Sequence, residues 1–432
     1  MNDKTVTVEK IEQIDFNDEN ISYGKATDFT THFSFDNLYY TNHINYSLHS
    51  LNQNYFGDWI HKLFHKNDGY QTPIVLEPYR DKGNIDINLL QSLMKSRLLS
   101  YILDNSNQSF RQLTKKAKAK KIVLTVDYFK FTSYEADVPN KEDFNNLAEN
   151  LNDVFKFDTT QVTKTVNEFI NNSLNNVRFD RNEFINDYDD LCLKQNFKDV
   201  PLEFFFMMYI FYKLDSIVKK YKEFDKYKNY KHENNLKKLL EVIKKDTSHA
   251  TYKIRQAIYN LKYHDTLNFP NGETPFEIDV LSNTIVNEIH AREYQKDSDL
   301  RIDDLMPSSI FKVDIILEND ESFDSLSSGE KQKIFVINSI MYHLKNIASK
   351  DDGYRNVNIV LDEIELYFHP EMQRDFINDL LEMLKNNEYI YNLAALNFIF
   401  ITHSPFILSD VVENNLLMLD KKAKPMQKNI WS

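Results

Sequence analysis

The sequence predicts an α/β fold, and three observations carry that expectation. Asn358–Leu361 and Leu396–Ile401 are short apolar runs bounded by polar residues, as parallel strands buried on both faces are. Between them Met372, Phe376, Leu380 and Leu384 recur at helical spacing behind His369-Pro370, with proline in the tolerated first helical position. Strand, crossover helix and strand form a right-handed parallel unit. Ile334, Ile337, Met341 and Leu344 mark a further helix, whose amino end is the turn Ser327-Ser328-Gly329.

The other elements fall into three regions. Residues 1–140 read as a mixed lobe: alternation at Val6–Ile14 and Asp28–Phe35 and the β-prone run Ile122–Phe131 predict strands. Within this lobe, 72–88 is a short apolar strand breaking into a loop punctuated by Pro78 and Gly83, and Arg80 there is open to a functional or a structural role. The basic run Lys115–Lys121 reads as a solvated loop before the next strand. From Lys141 to Tyr263 glycine disappears and apolar residues recur every three or four positions, which predicts a helical insertion over 141–275. Asn268–Pro275, with two prolines and a glycine, closes it, and 276–432 forms the second α/β lobe.

A chain of 432 residues is long enough for two or three buried cores. Its single cysteine, Cys192, excludes an internal disulfide framework and suits a reducing compartment. Met1–Val8 has no basic segment followed by an apolar one, and the longest apolar run, Phe204–Tyr212, falls short of the roughly 20 residues that cross a bilayer. These features predict a soluble cytoplasmic protein with no membrane contact. The net charge of -13 argues against nonspecific adhesion to nucleic acid, but 213–262 carries 14 Lys/Arg against 6 Asp/Glu, a local balance of +8. That window is a solvated helical face or a partner surface, nucleic acid included.

The chemistry concentrates near the carboxy terminus. Ser327, Ser328 and Gly329 stand where unpaired backbone N–H groups and the helix dipole favour phosphate, although the same residues suit an ordinary capped helix start. Asp362 and Glu363 end one predicted strand, and Thr402 and His403 end the next. The crossover geometry brings all four to the carboxyl edge of one sheet, where ligands of open α/β sheets bind. Asp362 suits Mg²⁺ held through water, Glu363 a base for attacking water, and His403 a donor to a γ-phosphate.

Leu326-Ser-Ser-Gly-Glu330 resembles the signature motif of the ABC ATPase superfamily, Ile359–Glu363 its Walker B strand with the catalytic glutamate, and His403 its switch histidine. The match spans 325–405. Asp362–Pro370 and Thr402–Pro405 are closer to the soluble SMC-like and OLD-like members of the AAA family than to transporters, and Pro78–Asp86 resembles the branch found in anti-phage systems such as Septu and some retrons. The resemblance implies a P-loop NTPase ABC-type head: a mixed sheet flanked by helices, with 1–140 and 276–432 as its two lobes. It implies ATP and Mg²⁺ as cofactors, with Ser327, Ser328, Gly329 and Glu330 contacting nucleotide and Asp362 holding the metal. It implies two heads, a homodimer or a related partner, sandwiching ATP and coupling its state to an effector, such as a nuclease, or to nucleic acid.

One part of that pattern is missing. A Gly-x4-Gly-Lys-Ser/Thr phosphate loop does not occur; the single Gly-Lys pair, Gly24-Lys25, has Glu19 and Ala26 at the positions that decide it. The expectation is therefore an upstream or partner-borne phosphate loop, and the alternative is a catalytically silent scaffold contributing only its signature face. The OLD-like nuclease domain is not expected here, because the sequence stops before one. His61 and His65 stand one helical turn apart, but Lys62 replaces the glutamate of a zinc protease, so they read as a solvated face.

Overall fold

A four-stranded parallel sheet and a three-stranded antiparallel sheet organise the chain. The computed structural model describes residues 9–11, 14–17, 20–23, 26–28 and 39–419, the last range without 48–49, 52, 65–72, 82, 105–107, 133–137, 178–188, 232–234, 247–248, 270–274, 294–299, 349–353, 386–387 and 410. Near the amino terminus β1 (Glu9–Ile11) pairs with β4 (Ala26–Asp28), and β2 (Ile14–Asn17) with β3 (Asn20–Tyr23), both antiparallel. Gly24-Lys25, most of Asp28–Phe35 and the turn at 270–274 lie outside the described residues.

The parallel sheet runs β11 (Ala395–Ile401), β10 (Asn356–Asp362), β5 (Tyr40–Asn45), β6 (Ile74–Glu77). Tyr40, Ile44, Val357, Ile359 and Leu361 point to one face, each at 1% exposure or less. They pack there with Val336, Ile340 and Leu344 of α9 (Ser328–Ala348) and with Phe376 and Leu380 of α10 (Pro370–Lys385). The opposite face carries His43, Val360, Asp362, Ile399 and Ile401, and the two isoleucines remain 47% and 48% exposed. This corrects the expectation of burial on both faces: β10 alternates buried and half-buried positions along its length. The crossover unit β10–α10–β11 stands as predicted.

The antiparallel sheet runs β8 (Pro275–Glu277), β7 (Ala119–Val126), β9 (Phe311–Leu317). The run Ile122–Phe131 is a strand only as far as Val126, because Phe129–Thr132 coils into a helical turn. Phe131 thereby packs on Phe205 with ring centroids 4.8 Å apart, and its burial outweighs β propensity. Between β7 and β8 the chain makes α2 (Lys141–Phe155), α3 (Thr160–Asn172), α4 (Asp189–Asn196), α5 (Leu202–Lys220), α6 (Asn235–Lys245) and α7 (His249–Lys262). It returns to the strand it left, with α8 (Ile278–Glu293) following β8. The apolar run at 204–212 is the middle of α5, apolar all round because its neighbours cover it on every side. Neither α8 nor α1 (Ile87–Ile102) was legible; α1, capped by Asp86 accepting from Leu89 N at 2.9 Å, wedges Met94, Leu98 and Ile102 into the core. Among the described residues no helix is long and apolar enough to cross a membrane.

The helical region is tied down by a buried ion pair. Arg255 of α7 donates through Nε and Nη2 to Asp304 at 2.9 and 2.5 Å, with both side chains at 1% exposure or less. Asn260 adds bonds to the carbonyls of Asp304 and Met306. Removing one partner strands the other charge, whereas removing both does not. Arg255→Met is therefore expected to cost about 3–5 kcal/mol in urea unfolding, and Arg255→Met with Asp304→Leu clearly less; equal losses would show that the pair is not what holds α7.

Candidate functional site

Two neighbouring parallel strands deliver three of the predicted residues to one sheet edge. Asp362 is the last residue of β10, in register with Ile401 of β11 and Asn45 of β5. Glu363 follows with φ 49° and ψ 37°, and its N–H donates to the Ile401 carbonyl at 2.9 Å. A non-glycine residue in the left-handed region is uncommon, and such positions gather at functional sites. The turn aims the Glu363 carboxylate at His403, with Oε1 3.6 Å from Nε2, while the His403 side chain is 91% exposed. Acid pair and imidazole therefore converge, and the histidine stays free to move.

Asp362 is oriented by residues that the sequence reading did not single out. Its Oδ2 accepts from Asn45 Nδ2 at 2.6 Å and lies 3.2 Å from His43 Nε2. The His43 bond, opposed by partial burial and reinforced by Asn45, holds the Asp362 carboxyl below the usual aspartate range. Asn45 is locked in turn, since its Oδ1 accepts from Ser47 N at 2.8 Å and Ser50 Oγ at 2.6 Å. Arg80 closes the network. Its guanidinium, 1% exposed, donates to the carbonyls of Asn45 and Ser47 at 2.9 Å and of Ser50 at 3.0 Å. The loop residue flagged at 72–88 thus clamps the 45–50 turn, and burial lowers its own affinity for a proton.

On the other flank, Thr402 Oγ1 donates to the buried Glu365 carboxylate and accepts from Ser404 N at 2.9 Å. Ser404 Oγ donates to Gln373 Oε1 at 2.5 Å, and Gln373 donates to the Phe368 carbonyl at 2.9 Å. These bonds fix the 402–405 turn to α10, leaving His403 as its projecting member.

The turn at 327–330 forms the amino end of α9, as predicted. Ser327 Oγ and N both donate to Glu330 Oε2, at 2.7 and 3.0 Å, and Glu330 N donates back to Ser327 Oγ at 3.3 Å. This capping box satisfies the backbone N–H groups of Ser327 and Glu330 within the chain. Gly329 has a packing reason as well: a Cβ there would stand 2.5 Å from the Tyr367 carbonyl oxygen. Ser327 and Ser328 remain exposed on the surface, and Ser327, Ser328 and Glu330 share no hydrogen bond with Asp362, Glu363 or His403.

Among the described residues no cluster of three or more His, Cys, Asp or Glu is arranged to hold a metal by itself. Mg²⁺ takes one or two carboxylates and completes its shell with water and phosphate, so Asp362, whose Oδ1 has no hydrogen bond among the described residues, fits that ion. His61 lies on a short 3-10 helix against the edge of Tyr79, with ring centroids 6.3 Å apart, and His65 lies outside the described residues.

A scan against protein-family models matched none, and a search of curated proteins returned no match.

The Asn45 bond to Asp362 has a testable sign. Because the carboxyl is held below its ordinary value near 3.9, the associated stability is present above that pH and is lost as pH falls through the lower folded value. Asn45→Ala is expected to cost about 1–3 kcal/mol at neutral pH. The gap to wild type in chemical denaturation should narrow below about pH 4; a gap independent of pH would mean that Asn45 supports the loop and not the carboxylate.

Proposed function

We propose that this chain is the carboxylate-and-signature portion of an ABC-class ATPase that works as a pair of heads. The observation that carries the reading is the strained Glu363, turned into the left-handed region one residue after Asp362 and facing His403 across the β10–β11 edge. In this reading Glu363 accepts a proton from attacking water, His403 donates toward the phosphate, and Asp362 holds Mg²⁺ through its water shell. The metal would neutralise charge developing on the transferred phosphoryl group. Ser327, Ser328, Gly329 and Glu330 contribute from the end of α9 to nucleotide on the opposite head. The exposure of Ser327 and Ser328, and the absence of any hydrogen bond from Ser327, Ser328 or Glu330 to the chain's own Asp362 and Glu363 among the described residues, support that division of labour.

The exposed side of β11 supports the same reading. Parallel strands are normally covered on both faces, yet Ile399 and Ile401 are nearly half open, and β11 is an edge strand among the described residues. A further parallel strand added there would end beside His403 and Glu363. A phosphate loop, absent from these 432 residues, is the element the site lacks at that position. Coupling to an effector, including a nuclease in a defence role, follows only from the resemblance.

The scaffold alternative rests on a specific observation too: Ser327, Gly329 and Glu330 all have structural work within the chain. Hydrolysis measured with and without a phosphate-loop segment separates the two. The chain alone is expected to bind Mg-ATP weakly in calorimetry, and tight binding would count against a missing phosphate loop. In an assembly that turns over ATP, Glu363→Gln should lower hydrolysis by about 10²–10⁴-fold and accumulate the nucleotide-bound pair in light scattering. Unchanged turnover would remove Glu363 as the base.

A further inference from the structure

Part of the basic charge of 213–262 is spent internally, on Asp304 by Arg255, on Asp153 by Lys237 at 2.7 Å, and on the Phe155 carbonyl by Lys262 at 2.8 Å. Lys213 and Lys253 are different. Lys213, half-buried on α5, sets its ammonium 5.0 and 5.1 Å from the ring centroids of Tyr209 and Tyr212, and Lys253 stands half-buried on α7, which packs against α5. No carboxylate among the described residues forms an ion pair with either, nor with Lys220, two turns beyond Lys213 on α5.

The surrounding charges make this a focus of positive potential. Lys130 adds an ammonium whose own partners are Asp127, at 2.9 Å, and the Ser309 carbonyl. Arg97 of α1 approaches Lys253 and is paired with Glu77 at 3.4 Å. Burial, then Lys253, Lys130 and Lys220, pushes Lys213 down to about 7; burial, then Lys130, Arg97 and Lys220, pushes Lys253 down to about 8. A cation over an aromatic face is held only weakly, and the ring does not replace water and a counter-ion.

Three ammonium groups with no carboxylate paired to them among the described residues match a doubly charged oxyanion better than a single carboxylate. Lysine binds phosphate as a point charge, where planar paired recognition of a carboxylate favours arginine. We propose that Lys213 and Lys253, with Lys220 at the rim, form a phosphate-binding site, the phosphate coming from a nucleic-acid backbone or from a free phosphorylated molecule. The site draws on no residue of the β10–β11 edge and stands independently of the ATPase reading.

Calorimetry of the full chain with inorganic pyrophosphate, and displacement of a labelled single strand of about twelve nucleotides, test it. Binding should take up protons near neutral pH, because an anion favours the charged amines, and should weaken as pH rises toward 9. Lys213→Gln with Lys253→Gln should weaken it about tenfold or more, with the thermal midpoint confirming folding. Lys213→Arg with Lys253→Arg should keep binding and lose proton uptake, since arginine stays charged. Asp362→Ala should leave binding unchanged, which separates this site from the sheet edge. Oligonucleotide displaced by pyrophosphate, or oligonucleotide binding alone that the Gln pair abolishes, assigns a nucleic-acid source; pyrophosphate binding alone assigns a small phosphorylated one. Binding of neither probe, or binding that the Gln pair leaves intact, overturns the proposal.

Discussion

The pairing of Asp362 between Asn45 and Ile401 is the constraint on which the sheet edge depends. Parallel register makes Asn45 the direct neighbour of Asp362 on β5, so its amide reaches Oδ2 without any loop having to bend inward. The same register on the other side lets the Ile401 carbonyl catch the Glu363 N–H, which holds that residue in a backbone region other L-residues avoid. A slip of one residue would turn Asp362 into the apolar core and Leu361 toward the ligand face. Register is therefore specified by Val357, Ile359 and Leu361 packing under α9 and α10, and the chemistry inherits its geometry from the core.

Support for this edge is distributed unequally. On the β5 side a fully buried guanidinium satisfies three carbonyls that a tight turn leaves without ladder partners. Arginine suits that task because its fixed fork reaches several acceptors while burial barely threatens its charge. On the β11 side short side-chain bonds fix 402 and 404 and leave 403 projecting. One flank is rigid and the other carries an exposed imidazole, so the carboxylate is preset while the histidine can adjust to what it meets.

What could be read in the sequence follows from where the apolar periodicity is strong. β10, α10, β11 and the start of α9 are dominated by apolar residues at regular spacing, and the acids and histidine sit at their ends, so position and chemistry were legible together. β5 was not: Thr41, Asn42, His43 and Asn45 make Tyr40–Asn45 look polar, although Tyr40, Asn42 and Ile44 are fully buried and His43 and Asn45 reach Asp362. The polarity that hid the strand is the polarity that orients Asp362. α1 was missed because its stripe shares space with Lys95 and Arg97, whose charges are bonded internally, Lys95 to Asp314 and Asp324, Arg97 to Glu77. The strand ending at Val126 was overrun because Phe129 and Phe131 are β-prone residues that a helical turn packs, Phe131 buried and Phe129 partly so.

The turn at 327–330 shows how one residue would answer to two demands. Gly329 is required wherever α9 approaches the Tyr367 carbonyl this closely, and Ser327 with Glu330 would cap this helix whether or not nucleotide ever reached it. Substituting them removes a cap or forces a clash, so loss of function in such variants reports folding and ligand contact together. Glu363 and His403 are different, since neither side chain supports the core and the histidine touches little but the acid. Chemistry at the sheet edge can therefore be separated from stability through that pair, and it is there, not at the glycine, that an ATPase and a silent scaffold with the same fold must differ.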